Sequence, residues 1–184
     1  MSDRSKTATG QSAAEARAEY EANRVANAAA RERRIAEAFP DGDPGKWVST
    51  ASIIVTVAFA LVTLLGVIDP DEFIVPYFVV TVGLFTAGFL IFAWVLVGMA
   101  LRSRDDLLSI AGVFFLSDSA PVRTRRTLLG LLAAQVVIAV AGAAARPFTP
   151  LAVGTLVPLF GLAVVGLWAV RYGHFEAHPN GVSR

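Results

Sequence analysis

The chain has 184 residues, of which 55% are hydrophobic and 17% charged, and its mean hydropathy of +0.59 makes it more apolar than an ordinary soluble domain. It contains no cysteine, which excludes disulfides, thiolate metal sites, iron–sulfur clusters and cysteine nucleophiles. The net charge is +1, and residues 1–46 balance eight basic against eight acidic side chains, so nucleic acid is not an expected partner.

The apolar excess begins near Trp47. The sequence therefore predicts a soluble tail over 1–46, a membrane domain over 47–172 and a short C-terminal tail over 173–184. No cleavable leader precedes the first apolar run, so the first span is expected to act as its own insertion signal. In the tail, Ser12-Ala13-Ala14-Glu15 has capping-box spacing, and the run to Phe39 is rich in Ala, Glu and Arg without Gly or Pro. A helix over 12–39 follows, stopped by Pro40-Asp41-Gly42-Asp43-Pro44-Gly45. Its heptad row Ala18, Val25, Glu32, Phe39 is broken by a glutamate, which favours a solvated helix over a coiled coil. Arg31, Arg33 and Arg34 lie close to the first span, where anionic lipid would attract them.

Four segments meet the length needed to cross about 30 Å of hydrocarbon. They are 48–68, 73–101, 127–145 and 151–170, with 21, 29, 19 and 20 residues. Short turns at 69–72 and 146–150 predict two antiparallel hairpins, giving an all-α fold with a cytoplasmic insert over 102–126. Charge sets the orientation. The tail arginines, Arg102, Arg104, Arg123, Arg125, Arg126 and Arg171 fall on one side, whereas Asp69, Asp71, Glu72 and the single base Arg146 fall on the other. By the positive-inside rule both termini and the insert are cytoplasmic. Trp47, Phe73, Tyr77, Phe148, Trp168 and Tyr172 fall near span ends and read as interfacial anchors.

Within the spans, Ser49, Ser52, Thr56, Ala60 and Thr63 share one face of the first helix. Gly130, Ala134, Ala141 and Ala145, with Ala139 and Ala143, do the same in the third. Both faces predict close helix packing. Gln135 is the one side-chain amide in a span and should point inward, donating or accepting across to Thr56, Thr63, Thr81, Thr86 or Thr155; a solute contact is the lesser reading. Pro158 would crowd the carbonyl of Gly154 and bend the fourth span, with Gly161 and Gly166 following.

The spans carry no Asp, Glu, Lys, Arg or His, which disfavours ion-coupled transport, and no paired histidines that could hold haem. His174 and His178 lack a third metal ligand. Asp105 and Asp106 read as first-turn acids of a helix capped by Ser103. That helix, Leu107 to Leu116, reaches only about 15 Å and cannot span. Leu107, Leu108, Ile110, Ala111, Phe114 and Phe115 form its apolar face, so an interfacial helix is expected, with a re-entrant turn or a plug against the bundle as alternatives.

The Ala, Val, Arg and Gly bias resembles that of small inner-membrane proteins of bacteria with GC-rich genomes, a compositional likeness that transfers no site. No catalytic, cofactor or metal constellation is present. The expectation is a non-enzymatic inner-membrane protein with the lipid bilayer and a membrane-protein partner or second copy as its contacts, serving as an accessory, assembly or scaffold subunit. The alternative is a small oligomeric transporter or channel.

Overall fold

The computed structural model describes residues 4–40, 44–103, 110–117 and 119–175, with backbone alone over 4–12 and at 14. Two compact units are present, residues 1–40 and 41–184. The first is a single helix, α1 (Arg4–Ala38), longer at its start than the capping box predicts. Its described side chains are nearly all exposed, in keeping with a helix that has no apolar stripe.

The second unit contains α2 (Lys46–Ile68), α3 (Pro70–Arg102), α4 (Ile110–Phe114), α5 (Val122–Ala145), a 3-10 segment (Pro150–Leu156) and α6 (Pro158–Tyr172). No strand occurs among the described residues. Four helices are long and apolar enough to cross a membrane: α2, α3, α5, and the 3-10 segment taken together with α6. Around the bundle the order is α2, α3, α6, α5, with α3 against α6 the most extensive contact. The last of the four apolar helical stretches is the most buried. Of its apolar stretch 56% is buried, against 28%, 17% and 22% for α2, α3 and α5.

Helix ends depart from the predicted boundaries for local reasons. Pro70 stands in the first turn of α3, where its missing N–H costs nothing, and the Asp69 carboxylate accepts from the Glu72 amide at 3.3 Å. The predicted turn 69–72 thus contracts to Asp69, and Asp71 and Glu72 become first-turn acids. At the far end Ser103 closes α3 instead of opening a new helix: its amide donates to Met99 and its hydroxyl to the Ala100 carbonyl at 3.0 Å. Helix α5 starts at Val122, so Arg123, Arg125 and Arg126 lie on a helix and not in a loop.

The insert also differs. Leu107, Leu108, Asp105 and Asp106 lie outside the described residues. The described helix, α4, packs on α6, and residues outside the predicted apolar face are buried: Gly112, Val113 and, just beyond, Leu116. Ile110 and Phe115, on the predicted apolar face, are 71% and 56% exposed. Phe114 is half-buried, stacked on Phe92 at 5.6 Å, in space left by Gly166. Ser119 donates to the Gly112 carbonyl at 2.6 Å and accepts, through its own carbonyl, from the His174 amide at 3.0 Å. The described part of the insert thus packs against α6, and Gly166 leaves the space that Phe114 enters, an approach that side-chain hydrophobicity alone does not reveal.

Candidate functional site

The polar residues of the bundle interior converge where α2, α5 and α6 meet. Thr56 lies on the buried face of α2 with Ser52 and Thr63, four and seven residues apart, which are turns of one helix face. Its hydroxyl donates to the Ser52 carbonyl at 2.8 Å and accepts from the Gln135 amide nitrogen at 2.9 Å. A hydroxyl has one proton and two lone pairs, and the proton is spent on Ser52, so only the nitrogen end of the amide can face Thr56. Gln135 is fully buried, and among the described residues its Oε1 has no hydrogen-bond partner.

The other hydroxyls named as candidates for Gln135 turn to their own helices. Thr63 donates to Phe59, Thr86 to Val82 and Thr155 to Ala152, at 2.7–2.8 Å. This back-bonding costs a hydroxyl its availability to neighbours. Thr81 is buried without a hydrogen bond.

The Gln135 amide fits because residue 161 has no side chain. A Cβ on Gly161 would lie 2.4 Å from Oε1 and 3.0 Å from Leu132 Cδ1. Gly161 is therefore a seat for the amide. The α5 face that carries Gln135 also buries Thr124, Leu128, Ala139 and Gly142. Gly130, Ala141 and Ala145, expected to pack, are exposed, and nothing lies within 4 Å of a Cβ placed on Gly130.

Next to this site Tyr77 donates to the Leu151 carbonyl at 2.7 Å and is fully buried. Its hydroxyl occupies the place of a Gly154 side chain, which would lie 2.0 Å away. Tyr77 belongs to the core cluster of Phe59, Ala139, Leu151 and Val157, which corrects its reading as an anchor. Trp168 is corrected likewise: it is buried and donates from Nε1 to the Pro44 carbonyl at 2.9 Å. Phe148 and Trp47 remain outward, at 104% and 56% exposure.

The predicted bend at Gly154 and Pro158 takes another form. Pro158 opens α6, and residues 150–156 before it form a 3-10 helix, so no α-helical carbonyl is crowded. The Val157 amide donates to Gly154 at 3.0 Å, and the Phe160 amide to Val157 at 2.8 Å. Pro158 has no N–H to give, and the tighter bonding pattern spares it an interior position.

Two arginines missed as structural residues act at helix ends. Arg102 donates to the Val170 and Gly173 carbonyls at 2.8 and 3.0 Å, with its guanidinium over the Phe175 ring at 5.1 Å. Arg146 donates twice to the Val67 carbonyl, at 3.1 and 2.9 Å. Each satisfies carbonyls at the C-terminal end of a helix other than its own, where a cation is favoured. Arg146 stood out in the sequence as the one base among acids, which was its available signal.

At the same end as Arg102, Trp47 donates to the Tyr172 hydroxyl at 2.9 Å. Gly45 has φ 81, and a Cβ there would meet the Tyr172 ring at 2.6 Å, so the left-handed geometry and the close ring both require glycine. Chemically, the polar side chains buried among the described residues are hydroxyls and one amide: Ser52, Thr56, Thr63, Thr81, Ser119, Thr124 and Gln135, with the Tyr77 phenol beside them.

Fold and site together define an all-helical protein with four helices of membrane-spanning length and an uncharged polar seam between them. No protein-family model, curated protein or solved structure matches the chain.

Proposed function

We propose that this chain is a non-enzymatic, multi-pass inner-membrane protein of bacterial type, arranged as two antiparallel hairpins, that serves as an accessory, assembly or scaffold subunit. Both termini and the central insert are cytoplasmic in this reading. The observation that supports it is the use made of the interior polar groups: Gln135, Thr56, Ser52 and Tyr77 are bonded between or along helices at 2.7–2.9 Å. Large apolar side chains such as Ile54, Leu61, Leu90, Trp94 and Val137 meanwhile face outward at 56–68% exposure. Polar groups that join helices, surrounded by apolar surface, suit a body embedded among lipids and other spans.

Purification in mild detergent tests the subunit role. The expected outcome is a stoichiometric co-purifying membrane protein or a defined oligomer; a reproducible isolated monomer refutes it. One observation favours the second reading, a small oligomeric transporter or channel: the buried Oε1 of Gln135 without a partner. Solute flux in proteoliposomes that disappears in Gln135→Leu would establish transport and displace the subunit role.

A further inference from the structure

Helix α1 is charge-segregated along its length. Residues 17, 20, 24, 28, 31 and 35 follow a 3-4-4-3-4 spacing and read Arg, Tyr, Arg, Ala, Arg, Ile. Residues 15, 19, 22, 26, 30, 33 and 37 follow 4-3-4-4-3-4 and read Glu, Glu, Ala, Ala, Ala, Arg, Glu. Such spacings follow single faces of an α-helix, and positions seven apart drift by only about 20°. Arg17, Arg24 and Arg31 thus form one ridge, flanked on one side by Glu21 and Glu32, and three glutamates with one arginine form the ridge behind. Both ridges are outward-facing: Arg17, Tyr20, Arg24, Ala28 and Arg31 are exposed, as are Glu15, Glu19, Ala26 and Glu37.

We propose that the basic ridge of α1 binds an anionic lipid surface, with Arg17, Arg24 and Arg31 at phosphate level and Tyr20 and Ile35 entering the headgroup region. The proposal rests on the membrane reading of residues 46–172. Charge complementarity selects the ridge, since a basic residue close to an anionic leaflet raises partition roughly fivefold. Tether length selects lipid over a soluble acidic partner: α1 ends at Ala38 and α2 begins at Lys46. Seven intervening residues reach at most about 25 Å when fully extended. A surface held within that distance is met at high effective concentration, whereas a soluble partner is not. Arginine, tyrosine and isoleucine also suit a surface helix, because the first two carry an apolar body with a polar tip.

The absence of cysteine makes single-site labelling clean. Full-length Ala28→Cys and Ala26→Cys proteins, each carrying an NBD fluorophore, are reconstituted into vesicles of phosphatidylcholine alone or mixed with phosphatidylglycerol. The expected result is a blue-shifted emission and several-fold slower quenching by iodide at position 28 in the mixed vesicles alone. Position 26 stays water-exposed in both. High salt and the combined Arg17→Gln, Arg24→Gln and Arg31→Gln substitutions abolish the shift at 28.

No protection at 28 in anionic vesicles overturns the proposal. So does equal protection in neutral vesicles or at position 26, and so does protection that rises with protein concentration, which would mark a second copy. Leu61→Cys on the exposed side of α2 separates the two readings. A label there that is shielded in both vesicle types upholds membrane insertion whatever α1 does, and one open to iodide in both removes the membrane reading itself.

Discussion

At the scale of single residues, the interior is organised by glycines that admit a neighbour's polar atom. Gly161 admits the Gln135 amide, and Gly154 admits the Tyr77 hydroxyl. Gly161→Ala should destabilise the protein by about 1–3 kcal/mol, the usual cost of forcing extra volume into a packed interior. Because the displaced atom belongs to Gln135, most of that loss should be recovered when Gly161→Ala is combined with Gln135→Ala, which empties the same space. Reversible unfolding in detergent, followed by circular dichroism on the four members of the cycle, measures the coupling. Additive losses would mean that Leu132, and not the amide, is the neighbour that matters. The sequence made Gln135 conspicuous because an amide in an apolar span demands a partner. It could not rank the threonines, since the choice depends on which hydroxyls are consumed by their own backbones. Tyr77 was misread for a related reason: proximity to a span end describes an anchor and a core tyrosine equally well until the carbonyl of Leu151 is seen beside it.

At the scale of helices, α3 and α6 meet along a seven-residue repeat. Thr81, Gly88 and Val95 are buried at that spacing on α3, and Arg102 follows in the same row, bonded to the end of α6. A repeat of seven is the signature of helices that wrap left-handedly and keep one seam in contact. At Gly88 the seam meets backbone, since a Cβ there would lie 2.7 and 2.8 Å from backbone atoms of Phe160. Backbone cannot swing aside as a side chain can. Gly88→Ala should therefore lower the thermal midpoint in detergent markedly, with a cost of about 2 kcal/mol or more. Gly83→Ala, five residues earlier on the same helix, meets nothing within 4 Å and should be neutral or stabilising by roughly 0.5–1 kcal/mol through helix propensity. Similar losses at both positions would deny the seam. Length and hydropathy located the four apolar helices well. The packing faces of α5 were less legible, because alanine and glycine are abundant on every side of it and spacing alone does not select one. The insert was legible only as a segment too short to span. Its packing on α6 places Phe114 in the space left by Gly166, a meeting of distant parts of the chain that no local pattern encodes.

At the scale of the whole molecule, charges counted for the proposed orientation also serve the architecture. Arg102 and Arg146 each close a neighbouring helix, so two of the bases counted for sidedness also hold the bundle's ends. The proposed orientation places Phe148 outside and His174 within the cytoplasm. Both are exposed. In intact bacterial cells an impermeant maleimide should label Phe148→Cys and leave His174→Cys unlabelled until the membrane is opened. Labelling of position 174 in intact cells would invert the topology, and equal labelling of both sites would deny that the chain separates two compartments.

The heavy burial of the fourth apolar helix has a consequence for how these four helices come together. Synthesis delivers helices in sequence order, and here the one that the others enclose comes last. Before Phe160 emerges, Gly88 has no backbone to receive. Before Val170 and Gly173 emerge, Arg102 has none of their carbonyls to hold. Helices α2 and α5 can already be joined by the bond from Gln135 to Thr56, yet the groove along α3 stays open until α6 is complete. A chain cut short near Pro150 would therefore lack the helix that fills the seam along α3.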